Sequence, residues 1–194
     1  MRYEKGRKDQ TRRRIIDAAA KRFREEGVEA VGVAGLMADA GLTHGGFYSH
    51  FPSKEHLVRE TLTTVLDRRH ARLEESIASG RAGVETIIAN YLSRNHRDNP
   101  GTGCPLACFA GEIARRPNET RTAFTDKLKR HAELIAAHFT SGPEAEREKT
   151  AFTLLSLMSG ALQLSRAVAD PDLSETILAI ARQSALEMVK DFTN

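Results

Sequence analysis

Two stretches of this 194-residue chain carry side chains whose types and spacing could do chemistry. The first is residues 41–54, GLTHGGFYSHFPSK. Thr43, His44, Gly45, Gly46, Tyr48, Ser49, His50 and Lys54 offer hydroxyls, imidazoles, one ammonium and two positions without a side chain. Such a set suits a surface that lies close against a phosphate backbone and meets base edges, not one that cleaves a bond. The second is the pair Cys104 and Cys108, four residues apart and so on one face of a helix if both are helical. Cys104 follows Gly103 at or next to a helix start, where a thiolate is favoured and a thiol pKa falls. Those thiols could answer an electrophile or oxidant; packed into a core they would be inert.

Other clusters fall short of chemistry. His96-Arg97-Asp98-Asn99 has the look of a kinase catalytic loop, yet no glycine-rich phosphate loop accompanies it. His131 and His138, with Glu112 elsewhere, make a weak metal set, and no metal or cofactor is expected. A small all-helical enzyme using His96 or His131 is the rival class, disfavoured because no nucleophile, base and orienting group come together in the sequence.

The first stretch needs a helix-turn-helix to position it. Val33, Leu36, Met37 and Ala40 share one face of a short helix, and Gly41 stops it in the left-handed cap. Leu42 anchors the turn, Thr43 can cap a second helix, and Phe47 and Phe51 point inward from it. The second helix would be the groove reader. Before it, a helix from Asp9 or Thr11 to Glu26 carries Ile15, Ala19 and Phe23 inward, flanked by Ile16 and Ala20. Residues 1–8 read as a mobile arm. The net charge is only +3, but residues 1–24 hold ten Lys and Arg against three Asp and Glu, a footprint for phosphate contact.

GLTHGGFYSHFPSKEHL resembles the most characteristic segment of the TetR family of bacterial repressors, G-[VLI]-[ST]-x-x-x-[LF]-Y-x-[HY]-F-x-[SN]-K-x-x-L. Gly41, Leu42, Thr43, Phe47, Tyr48, His50, Phe51, Ser53, Lys54 and Leu57 all fit it. The first helix of the pair departs from the family: Gly32 stands at its cap and Ala34 where some relatives carry a base-reading side chain. The resemblance implies that Tyr48 and Lys54 hold the DNA backbone, with Thr43 beside them and His44, Gly45, Ser49 and His50 nearest the bases. GCPLACFAGEIA resembles the Gly-Cys-containing segment in part of the family, a subset that includes repressors answering electrophiles or oxidants.

The remaining elements read as helices throughout. Ser53 caps a long rod over residues 54–79 with Leu57, Thr61, Leu62, Val65, Leu66, Leu73 and Ile77 inward. Further helices are expected over residues 84–99, 105–116, 124–141, 143–169 and 173–192, with Pro143 in a first turn. The fold class is all-α: a three-helix helix-turn-helix domain over residues 1–52 and a six-helix effector-binding and dimerisation domain over residues 53–194. Residues 151–169 are apolar or small on most of the helix circumference, which calls for burial on more than one side. A homodimer through the last two helices satisfies that, and the resemblance implies the same. No run is long enough to span a membrane, no secretory signal is visible, and a cytoplasmic protein is expected. The function expected is a ligand-responsive repressor that binds a palindromic double-stranded operator as a homodimer. It would release that operator on binding a small apolar molecule or an electrophile. An architectural DNA-binding protein without an effector is the other rival.

Overall fold

The computed structural model describes residues 2–80 and 83–192; Met1, in the expected arm, and residues 81–82 and 193–194, in the expected second domain, lie outside the described residues. Every regular element among the described residues is helical. The order is α1 (Arg2–Glu26), α2 (Val33–Asp39), a 3₁₀ turn (His44–Ser49), α3 (Lys54–Ser79), α4 (Val84–Tyr91) and α5 (Arg94–Asp98). A 3₁₀ turn (Pro100–Thr102) leads to α6 (Pro105–Ile113), α7 (Asn118–Ala136), α8 (Glu144–Ala167), α9 (Pro171–Val189) and a last 3₁₀ turn (Lys190–Phe192).

The head forms because α1 offers one apolar stripe to a short helical pair. Ile15, Ile16, Ala19, Ala20 and Phe23 are all buried, as their spacing requires, against Leu36, Met37, Phe47 and Phe51. The turn between α2 and the 3₁₀ segment is a complete left-handed cap. Gly41 sits at φ +67°, its N–H meets the Ala38 carbonyl at 2.8 Å, and the Leu42 N–H meets the Met37 carbonyl at 2.8 Å. An Ala there would strain the backbone, because only glycine takes this φ without a Cβ penalty.

Ser53 caps α3 as its sequence position implies, its Oγ accepting the His56 N–H at 3.0 Å. Leu57, Thr61, Leu62, Val65, Leu66 and Leu73 are buried along it, but Ile77, expected inward, is 36% exposed in the last turn. Behind the rod, α6, α7, α8 and α9 pack together, with α8 against α9 the most extensive pairing. Arg97 on α5 fastens that layer, donating to Glu175 at 2.7 Å and to Ser174 at 3.0 Å on α9.

Several boundaries differ from expectation. The expected arm is helical: α1 begins at Arg2, and although Gly6 weakens that stretch it holds no proline to stop the helix. The helix expected over residues 84–99 breaks after Tyr91, where Ser93 starts a new one by capping the His96 N–H at 3.2 Å. Pro143 caps α8 from outside its first turn. α7 stops at Ala136, leaving Phe139 free to pack against Phe192, ring centres 5.2 Å apart. Asp170 caps α9, its Oδ1 accepting the N–H groups of Asp172 and Leu173 at 2.9 and 3.2 Å.

Among the apolar side chains between α3 and α7 lie several buried polar groups. His70 and His131 are buried with ring centres 5.4 Å apart, and Thr61 Oγ1, His70 Nε2 and His131 Nδ1 lack a hydrogen-bond partner among the described residues. Burial first, then the charges of Arg69 and His70, push the His131 pKa down to about 3. Folded His131 therefore stays neutral while the unfolded residue, with its ordinary value near 6.5, takes a proton. Stability should fall as pH drops below about 6.5, by about 1.4 kcal/mol per pH unit from this residue alone, and the fall should level off below about 3. Urea unfolding of wild type and His131→Leu between neutral and acid pH measures it: the variant's pH slope should be shallower by about one proton.

Candidate nucleic-acid interface

The His44–Ser49 segment winds as a 3₁₀ turn, tighter than the α-helix expected. Two adjacent glycines inside a six-residue element account for this, because glycine disfavours sustained α-helix and short pieces close readily by i→i+3 bonds. The Gly46 N–H meets the Thr43 carbonyl at 3.1 Å, and Ser49 Oγ donates to the Gly46 carbonyl at 2.7 Å. Thr43 holds the cap position, but its side chain makes no capping bond.

Residues three apart share a face in a 3₁₀ turn, so Gly45 lies beneath Tyr48. Both are on the outside; Tyr48 is 67% exposed, its ring edge-on to the buried Phe47 with centres 5.2 Å apart. His44, Thr43 and Ser49 are exposed with them, while Gly46, His50 and Lys54 are half-buried. The structure thus gathers all eight candidate residues into one short stretch. Gly45 has no positive φ, and a Cβ built on it would meet nothing within 4 Å. The fold itself does not require a glycine there.

Arg12 sets the position of this segment, a role no local pattern announces because its partners are 38 to 48 residues away. Its guanidinium grips the Glu60 carboxylate with Nε at 2.8 Å and with Nη2, donates through Nη1 to the His50 carbonyl, and lies 4.3 Å over the Phe51 ring. Arg14 similarly donates to the Ala40 carbonyl at the end of α2. Burial, then the charges of Lys8 and Arg12, hold the His50 imidazole below its ordinary value, so it is neutral at physiological pH. A neutral ring can donate or accept at a base edge but is no cation for a phosphate.

The second stretch is arranged differently. Cys104 caps α6 as its position implies, yet it is fully buried, and its backbone N–H donates to His96 Nε2 at 2.8 Å. The other ring nitrogen of His96 lies 2.7 Å from the Tyr91 carbonyl, so both nitrogens are engaged with backbone. Burial pushes the Cys108 thiol up, more than the neighbouring Arg166, 3.5 Å away, pulls it down. His138 lies beyond the end of α7, its Nδ1 2.8 Å from the Leu134 carbonyl, and no group of three metal-ligating side chains exists among the described residues. The cleft at the junction of α1, α3 and residues 100–103 is basic, its lining including Lys21, Arg24, Arg68, Arg69 and Arg72.

A helix-turn-helix head on an all-helical body is the architecture of a helical transcriptional regulator. The family of bacterial regulatory proteins of the tetR type matches residues 15–61, and the C-terminal domain of LmrA/YxaF-like transcriptional regulators matches residues 81–183. The chain belongs to the TetR family. The HTH-type transcriptional repressor KstR2 of Rhodococcus jostii is 38% identical over 80 residues, covering 40% of this chain and 39% of that protein. KstR2 of Mycolicibacterium smegmatis is 28% identical over 135 residues, 70% of this chain and 58% of that one. The matched part of the chain thus spans roughly two to three fifths of these relatives' length. Among solved structures, reduced NemR of Escherichia coli superposes with a TM-score of 0.76 at 21% identity, covering 94% of this chain and 98% of that one. No helix of the described residues is long and apolar enough to cross a membrane.

Both thiols should react more slowly with iodoacetamide in the native protein than after unfolding, as read by peptide mass spectrometry. A native Cys104 that outpaces the unfolded residue would restore the thiol-sensing alternative.

Proposed function

We propose that this chain is a homodimeric repressor that binds a palindromic operator through the residue 43–54 surface and releases it on binding a small molecule. The exposed face of Thr43, His44, Gly45, Tyr48 and Ser49, at the edge of a buried three-helix core, is the observation that carries the reading. Tyr48 offers a hydroxyl that can donate to a phosphate oxygen. Lys54 begins α3 with no ion-pair partner among the described residues, so its charge is available to a second phosphate. His44, Gly45, Ser49 and neutral His50 are left to meet base edges. Residues 1–52 are the DNA-binding unit in this reading, and residues 53–194 the effector-binding and dimerisation unit.

Dimerisation is supported by an apolar stripe on α8 and α9. Leu157, Gly160 and Leu164 line one face of α8; Leu173, Ile177 and Ile180 line one face of α9. Leu164, Leu173 and Ile180 are 59%, 46% and 61% exposed, too large a set of aligned aliphatics to leave in water without a purpose. Two copies of this pair form a four-helix bundle and hold the heads at a fixed separation. Symmetric heads must meet major grooves about 34–36 Å apart, so a ligand that favours another separation loosens DNA.

Lys54→Ala should weaken binding to every DNA sequence and lower the slope of log affinity against log salt by about 1. Gly45→Ala should leave the thermal midpoint unchanged or higher, since nothing in the fold opposes the methyl, yet lower operator affinity by placing it between backbone and DNA. Fluorescence anisotropy over a salt series reads both, and unchanged affinity in both variants would remove this surface from the interface. Ile180→Glu and Leu164→Glu should convert a dimer to a monomer in sedimentation and collapse operator affinity with it. A wild-type monomer at micromolar concentration would refute the dimer.

A further inference from the structure

The cleft between head and body is rich in cationic side chains. It has a volume of about 360 Å³ and is lined by Lys21 and Arg24 of α1 and Arg68, Arg69 and Arg72 of α3, with Asp17 the one carboxylate among its lining residues. Asp17 is already engaged by Arg68 at 2.6 Å. Arg24, Arg69 and Arg72 have no hydrogen-bond or ion-pair partner among the described residues, and the Nε atoms of Arg24 and Arg69 are buried and unsatisfied. A guanidinium carries five donors and stays charged, so leaving one buried without an acceptor is costly. Burial holds Arg24 below its ordinary value, which marks the same desolvation.

A second cavity of about 290 Å³ shares Arg69, Arg72, Thr102 and Gly103 with it and adds Leu73, Ile87 and Tyr91 beside the uncharged polar Asn90 and Asn95 and the ring of His96. The charged end and the largely uncharged end therefore meet at Arg69, whose guanidinium lies 5.9 Å from the Tyr91 ring centre. We propose that this double cavity binds a small organic anion, its phosphate or carboxylate head held by Arg24, Arg69 and Arg72 and its uncharged body lying along Tyr91, Ile87 and Leu73. Planar guanidinium groups match both head groups in bidentate fashion. Because Arg24 stands on the head's first helix and Arg69 on the rod, the ligand bridges the two. That it acts as the effector rests on the repressor reading.

Isothermal titration of the full chain without DNA tests the site, using sodium pyrophosphate and sodium octanoate as probes at an ionic strength matched with sodium chloride. At least one should bind saturably with one site per chain. Binding of pyrophosphate alone assigns a phosphate head, and of octanoate alone a carboxylate head. Arg69→Gln and Arg72→Gln should each weaken it about tenfold or more, consistent with loss of a charged hydrogen bond. Arg72 is exposed, so its variant keeps the core, and a thermal melt checks that both are folded. Binding no stronger than chloride, or binding that survives both arginine variants but is lost in Lys54→Ala, would overturn the proposal, the latter placing the anion on the DNA-facing surface. Operator retained with the probe bound counts against the repressor reading and not against the site.

Discussion

Helix α3 belongs to two cores at once, and the rest of the molecule depends on that. Its 26 residues span about 39 Å at 1.5 Å per residue. On one side it is tied to α1 by Arg12 with Glu60 and by Arg68 with Asp17 at 2.6 Å. On the other it is tied to α7 by Glu55 with Thr120 at 2.6 Å, by Lys127 with Asp67, and by Arg130 with Glu74 at 2.7 Å. Several of these pairs are exposed and each contributes at most about 1 kcal/mol, so they orient the helices more than they hold them. The holding is done by Leu57, Val58, Leu62, Val65 and Leu66, buried between neighbours on both sides.

A shared helix alone would let the head swing, and a second connection limits that. The Val28 N–H donates to Glu112 on α6 at 2.8 Å, immediately after the left-handed Gly27 that ends α1. Arg116 then gathers Glu29, Glu55 and Glu112 at 2.5, 3.4 and 3.7 Å, joining the α1–α2 loop, the start of α3 and the end of α6. The head is thus fixed at two points, and the arginine-lined cleft lies along the same α1–α3 seam. A ligand that added acceptors there would change the balance of forces across the seam without touching residues 43–54.

Much of this was legible in the sequence, because it rests on local rules. Gly41 predicted its own left-handed turn, Ser53 its cap, and Ile15, Ala19 and Phe23 their burial. What was not legible depends on distant partners. The α-helix expected at residues 44–49 became a 3₁₀ turn: its two adjacent glycines leave the winding to be set from outside, where Phe47 and Phe51 seat in the core with ring centres 5.7 Å apart. The thiols followed the same rule: a helix start argued for reactivity at Cys104, but full burial sets its surroundings. The arginines of α3 join Lys21 and Arg24 around one cleft only because α1 and residues 100–103 lie beside them, a meeting that no local pattern announces.

A segment of six residues with two glycines cannot hold a helical conformation alone, since nucleation is unfavourable even for long, alanine-rich peptides. Its geometry is imposed from outside by Gly41 at one end, by the buried Phe47 and Phe51 beneath, and by Arg12 on the His50 carbonyl at the other. Arg12 is the residue that links these supports, because the same guanidinium stacks on Phe51 and anchors on Glu60 of the rod. The surface proposed to meet DNA is therefore positioned by α1 and α3 jointly, and any shift of one against the other is felt first at His50. Such a shift would carry a rearrangement in the helical body to the surface proposed to meet DNA, whose own residues that rearrangement never contacts.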